Sequence, residues 1–351
     1  VNQSAYHSGA REVKPVNFAL CSFAHFHAYS YARAVKELEN ARLVAAFDDD
    51  ETRGRDGAAR CGVELRNDLD KLLARDDIDA VVVTSETVKH LEHVRRIAEA
   101  GKHVLCEKPI ATTLRDADEM VRMVRRTGIM FQTAFVMRYH SNALLVKDLV
   151  DQGDIGRIVS MAGQNRLNRE LPLGTPWFIK PELSGGGAIM DHTVHLADLM
   201  RWLTGSEASS VYTEVGRNVT EGLGVEDNFM TLVGMRDGSI GTIDGSWDKS
   251  KTYHTWGDVV MEIIGTEGMI LLDSFRQNVD LFAQQPPMNR LTKQYYGCDA
   301  DKEMIRDFIR CIQEGGQPRA SVHDGRQALE ITVASYISAR QNKVVSLPLS
   351  T

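Results

Sequence analysis

From Val16 onward, short β-branched and apolar runs alternate with segments whose apolar residues recur at helical spacing. The first half predicts five strands, NFALCS, RLVAAF, DAVVVT, KHVLCE and IMFQTA. Helices fall between them, such as Ala28 to Leu38 and Val88 to Ala100, the latter ended by Gly101. That alternation is what a parallel sheet with crossover helices requires, so residues 15–135 read as a doubly wound α/β domain with its ligand crevice beyond the carboxyl ends of the strands. After a connecting helix, Asn142 to Gln152, the pattern changes to longer strands at Arg157 to Asn165, Ser210 to Val215, Phe229 to Met235, Ser239 to Trp247, Val259 to Ile264 and Met269 to Asp273. Turns of the RDGS and GTEG type between them favour hairpins. Residues 136–351 therefore read as a separate α+β domain: a large open, mostly antiparallel sheet with helices on one face, closed by helices over Asp301 to Glu314 and Gly325 to Gln341. The alternating apolar positions of Phe229 to Met235 and Ser239 to Ile243 give the uncovered face a need for a partner, so a homodimer or homotetramer through the 210–285 sheet is expected. Residues 1–14 show no periodicity and are expected to form an arm outside the fold.

Composition narrows the function without specifying it. The 351 residues fit two domains better than one. A formal charge of -7 leaves no electrostatic footprint for nucleic acid. No apolar run approaches the roughly 20 residues that span a bilayer, so no membrane role is expected and the default compartment is the cytoplasm. Five scattered cysteines without CxxC spacing suggest free thiols rather than a disulfide framework or a thiolate zinc site.

Two clusters carry chemistry. Glu107, Lys108 and Pro109 follow the strand ending at Cys106, which directs Lys108 into the crevice, where an ammonium can hydrogen-bond a reacting oxygen and offset charge as an alcohol becomes an alkoxide. Asp191 and His195, four residues apart after a glycine run, share one face if that segment is helical. His195 then suits a general base, and Asp191 suits a group that orients it or contacts substrate. His192 turns the same stretch into an HxxH, but helical zinc sites favour histidines at i, i+4 and the nearby lysine would repel a cation, so no metal is expected there.

The segments GKHVLCEKPIA at 101–111, GGGAIMDHTVHLADLMRWLTG at 185–205 and the closing DGRQALEITVASYISARQNKVVSLP resemble the glucose-fructose oxidoreductase, inositol dehydrogenase and MocA (Gfo/Idh/MocA) family. The likeness runs from about Val16 to Leu347, with EKP followed by DxxxH as its most specific elements. It implies a Rossmann domain carrying NAD, and chemistry on a small carbohydrate or polyol held against the sheet domain. It implies no metal. Lys108, Asp191 and His195 take the family's catalytic positions.

The family's glycine-rich phosphate loop is where this chain departs most. Ser22 and Ala24 stand at the first two glycines, His27 near the third, with Phe23 and His25 between them. Small side chains preserve closeness, and the expected donors are backbone N–H groups at a helix start. Asp48, ending the second strand, is expected to read the ribose hydroxyls and disfavour NADP, although DDDE also reads as an acidic helix start. TSETVKH replaces the family's TPNxxH, which places Ser85, Glu86 and His90 with Glu107 near the cofactor. Arg138, Tyr139, Trp177, His192, Trp247, His254 and Trp256 are candidate substrate contacts, through stacking on a sugar face or hydrogen bonds to its hydroxyls. The expected activity is an NAD-dependent transfer of hydride at a secondary alcohol or ketone of a sugar, polyol or glycoside. Two alternatives stand beside it: a non-catalytic binding or partner subunit with a degenerate loop, and a lyase or glycosidase that uses bound NAD transiently.

Overall fold

The computed structural model describes residues 14–253, 255–276, 278–282, 291–295 and 297–349. Strands β1 (Val16–Cys21), β2 (Ala41–Phe47), β3 (Leu65–Arg66), β4 (Ala80–Val83), β5 (His103–Cys106) and β6 (Phe131–Thr133) form one parallel sheet in the order β3-β2-β1-β4-β5-β6. Both faces are covered, which is why β4, and β1 apart from Asn17, are apolar and buried instead of alternating. Helices α1 (His27–Lys36), α2 (Glu51–Cys61), α3 (Leu69–Leu73), α4 (His90–Glu99) and α5 (Leu114–Thr127) make the crossovers. The short β3 and α3 carry too few residues for a period to register in the sequence. The acidic DDDE run serves two ends at once: Asp48 closes β2, and Asp50 caps α2 by accepting the Arg53 amide at 2.9 Å.

Helix α6 (Ser141–Gln152) leads to the second sheet, built from β7 (Ile158–Asn168), β8 (Ala208–Val215), β9 (Asn228–Met235), β10 (Ile240–Lys249), β11 (Gly257–Gly265), β12 (Met269–Asp273) and, far along the chain, β15 (Val345–Ser346). Its order is β12-β11-β7-β10-β9-β8-β15, antiparallel at every pairing except β7 with β10. A separate hairpin pairs β13 (Asn278–Phe282) with β14 (Leu291–Tyr295). Short helices α7 (Glu170–Gly174) and α8 (Pro181–Ser184) precede the almost wholly buried α9 (Ala188–Thr204), and α10 (Ala300–Glu314) and α11 (Val322–Gln341) follow the hairpin.

Helix α9 lies between the sheet strands β7 and β10 and helix α11, so it holds its polar residues inside the protein. Helix α11 also packs on α5 and β6, joining the second sheet to the first. That contact is close: a Cβ at Gly325 would come within 2.7 Å of the Ile110 and Thr133 side chains. The opposite face of the second sheet is uncovered, and it exposes Met230, Leu232, Ile240, Ile264 and Leu271. Among the described residues no helix is long and apolar enough to cross a membrane.

Candidate active site

A cavity of about 400 Å³ opens where the carboxyl end of the parallel sheet meets α9 and the second sheet. The loop after β1 contributes His25, Phe26 and His27, the turn after β5 contributes Lys108, and α9 contributes Asp191, His192 and His195. Phe178 and Trp256 form apolar wall, and Trp256 stands edge-on to Phe275 at 5.1 Å.

The central pair is Lys108 and Asp191. The Lys108 ammonium donates to Asp191 Oδ1 at 2.6 Å, and Trp247 Nε1 donates to Oδ2 at 3.1 Å. Burial alone would raise the Asp191 pKa, but Lys108 and the facing imidazoles hold it well below the usual carboxylate range, so the pair stays ionic. Asp191 makes no hydrogen bond to His195: the shared helix face brings both into one cavity, while the carboxylate turns to a lysine 83 residues away in the chain. The expectation that Asp191 orients His195 is therefore corrected.

His195 is buried, and its Nδ1 has no hydrogen-bond partner, which leaves Nε2 as the nitrogen reaching the cavity. Burial, then the Lys108 charge, push its pKa well down, so it is a neutral imidazole at neutral pH. The Asn165 side chain holds His192 Nδ1 at 2.9 Å, while its Nε2 is buried without a partner 3.8 Å from Asp191 Oδ2.

The loop after β1 answers its missing glycines with side chains. Ser22 sits at φ +79°, the left-handed region that glycine favours, and the Ser22 hydroxyl accepts the Ala24 amide at 3.1 Å. Asp48 accepts the Phe23 amide at 2.6 Å, the Thr84 carbonyl accepts the His25 amide, and His25 Nδ1 accepts the His27 amide. The expected row of free amides is thus reduced, among the described residues, to that of Phe26. Phe23 turns away from the crevice onto α2, where a Cβ at Gly57 would lie 2.3 Å from its ring.

Several predicted residues lie at the strand ends but outside the cavity wall. Asp48 is enclosed, with its carboxylate bound by the Arg53 guanidinium at 2.7 Å, and Glu86 holds the same guanidinium at 3.0 Å. His90 is buried between the Pro109 and Ser85 carbonyls, each 3.0 Å from a ring nitrogen, and so braces the turn that carries Lys108. The Ser85 hydroxyl is hydrogen-bonded to His93. Glu107 accepts from His27 Nδ1 at 2.7 Å and from the Tyr31 hydroxyl at 2.5 Å.

Four expected substrate contacts are corrected outright. Arg138 is buried in a forked pair with Asp198, at 2.7 and 2.6 Å, and also meets Asp324. The Tyr139 hydroxyl donates to Asp307, Trp177 Nε1 donates to the Ala24 carbonyl, and Trp247 serves Asp191. Each is a buried polar group whose partner comes from a distant segment, which local sequence does not reveal. His254 lies outside the described residues. Sequence reasoning missed Asn165, Asp258 and Phe178, which carry no local signal, and Asp301, which lines the cavity from α10. It also missed the one convergence of possible metal ligands among the described residues, His25, His27 and Glu107. There the signal was legible as an HxH.

Comparison with known proteins agrees with this geometry. Residues 16–135 match the model of an oxidoreductase family with an NAD-binding Rossmann fold, and residues 143–271 match the C-terminal domain of the same GFO/IDH/MocA family. The chain is 28% identical to myo-inositol 2-dehydrogenase of Thermotoga maritima over 325 residues, covering 90% of this chain and 94% of that one. It is 33% identical to 2,7-anhydro-N-acetylneuraminate hydratase of Mediterraneibacter gnavus, covering 74% and 68%. The solved structure of GenD2 from gentamicin A biosynthesis, in complex with NAD, superposes with a TM-score of 0.86 over 99% of this chain at 22% identity, a likeness of fold alone. On the two family matches and the 33% identity to that relative, this chain belongs to the Gfo/Idh/MocA family of NAD-binding oxidoreductases.

Proposed function

We infer that the protein oxidises a secondary alcohol of a sugar, polyol or glycoside, or reduces the corresponding ketone. The observation that carries this reading is the Lys108–Asp191 ion pair facing a neutral His195 in one cavity. Crevice and loop fit a nicotinamide dinucleotide: the strand order reverses between β1 and β4, the Phe26 amide starts α1 without an internal partner among the described residues, and His192 Nε2 is buried without one. His25, His27 and Lys108 would line its path, with Asp48 behind the loop. The chemistry NAD supplies when bound is acceptance of a hydride from the carbinol carbon.

The chain's own residues do the rest. His195 Nε2 takes the hydroxyl proton, which its uncharged state allows at neutral pH. The Lys108 ammonium hydrogen-bonds the same oxygen and offsets the charge that develops on it. Asp191, clamped by Trp247, fixes the ammonium in place and strengthens its field within the low-dielectric wall. The buried Phe178 and the half-exposed Trp256 offer apolar faces to a ring.

The test is reduction of NAD by a panel of inositols, aldoses and glycosides, with Lys108→Met and His195→Ala beside the natural chain. Each substitution is expected to lower kcat by about 10²-fold or more while NAD affinity changes little. A folded His195→Ala protein with normal turnover would remove the base assignment. The relative named as a hydratase supports a second reading, in which substrate is oxidised and re-reduced on one enzyme. Product formation without accumulation of reduced cofactor would select it.

A further inference from the structure

The loop that lost its glycines gained two imidazoles. His25 and His27 lie side by side, ring centroids 4.3 Å apart, and both line the cavity. Glu107 approaches from the end of β5, with Oε1 2.7 Å from His27 Nδ1. One ligand atom from each of the three can be chosen so that all lie within 4.8 Å of one another.

We propose that His25, His27 and Glu107 bind one divalent transition-metal ion, zinc by ligand class, with its remaining coordination positions open to the cavity. Two imidazoles and one carboxylate are the donor set of open zinc sites. Zinc bonds of about 2.0–2.1 Å set ligand atoms roughly 3.3 Å apart in a tetrahedron, so small rotations of the imidazoles close the site. If His25 coordinates through Nδ1, the metal replaces a single hydrogen bond, that from the His27 amide. At Glu107 it displaces the His27 contact, while the Tyr31 hydroxyl and the Lys108 amide, at 2.5 and 2.8 Å, keep the carboxylate oriented as outer-shell donors.

The charges around the site favour a cation. The Lys108 ammonium is committed to Asp191. Asp299 and Asp301 also line the cavity. Asp299 is paired with Arg33 at 2.8 Å, but Asp301 has no cationic side chain within ion-pair distance among the described residues. A metal here also restores positive potential at the start of α1, where Ser22, Asp48 and His25 have consumed the amides that would otherwise face an anion. Its open positions take an oxygen ligand, from a cofactor phosphate or from a substrate hydroxyl.

Metal analysis of the purified full chain after zinc loading and desalting, with calorimetric titration of zinc chloride, tests the proposal without substrate or turnover. One zinc per chain is expected, with affinity falling at least 100-fold in His25→Ala and in His27→Ala and unchanged in the exposed-site control His323→Ala. Circular dichroism confirms that each variant is folded. No retained zinc in the natural chain, or equal binding in the folded His25→Ala/His27→Ala double variant, overturns the site. NAD titrations with and without zinc identify the oxygen source: tighter NAD binding with zinc assigns a phosphate, and unchanged binding assigns the substrate. Because zinc stoichiometry is read apart from activity, failure of the metal site and failure of the dehydrogenase reading are separately visible.

Discussion

Ser22 offers the sharpest test of how a phosphate loop works without glycine. Its φ of +79° costs an L-residue about 1–2 kcal/mol relative to glycine. The hydroxyl offsets that cost by accepting the buried Ala24 amide at 3.1 Å. Ser22→Ala keeps the strain and strips the amide of its acceptor, a loss of about 1–3 kcal/mol. Ser22→Gly loses the same acceptor but relieves the strain, less about 0.4–1 kcal/mol for the greater freedom of glycine in the unfolded chain. The glycine variant should therefore be more stable than the alanine variant by about 0.5–1 kcal/mol, with the natural serine at or above both. An unfolding entropy of about 2.1 cal/mol/K per residue makes 1 kcal/mol worth about 1.4 °C in this chain, so calorimetry on matched samples is the suitable assay. An alanine variant as stable as the glycine variant would show that Ser22 carries no strain.

Other outcomes follow from the same geometry. NAD is expected to bind more tightly than NADP on the expectation that Asp48, at the end of β2, meets the ribose; equal affinities in calorimetry would show that Asp48, enclosed by the Arg53 guanidinium, is not the reader. Stability should fall as pH drops from 7.5 to 5.5. Burial lowers His25 to about 3 and His93 and His140 to about 4, so the unfolded chain binds their protons first, near the ordinary value of 6.5, and the stabilisation present above that value is lost below it. Each contributes a loss on the order of 1 kcal/mol by pH 5.5. Asp198, raised to about 6 by burial, opposes this in part. A melting temperature unchanged between these pH values would refute the neutral burial of the three rings. The apolar face carrying Met230, Leu232 and Leu271 should pair two chains, and Leu232→Glu with Leu271→Glu should yield monomers in light scattering; a natural chain already monomeric at 39.1 kDa would sink that prediction.

The sequence by itself determined the two sheets, the place of Lys108 beyond a strand end and the shared helix face of Asp191 and His195, while their meeting in one site was what the family resemblance implied. Those features follow from short-range rules: apolar period, turn residues, a lysine one step beyond a strand end, and two polar residues one helical turn apart. It also showed that the loop lacked glycine. The tertiary structure decided what each polar group does there. Asp191 faces the cavity beside His195 because of helical spacing, yet it binds Lys108 because β5 ends opposite α9. Arg138 and Tyr139 follow a strand that ends at the crevice, as predicted, but Asp198, Asp324 and Asp307 reach them from segments 60 to 186 residues later and draw them into the interior. A buried charge or hydroxyl must find a partner, and which partner is available depends on packing between distant segments rather than on neighbours in sequence. For the same reason the HxH of the loop is joined by Glu107 only in the fold.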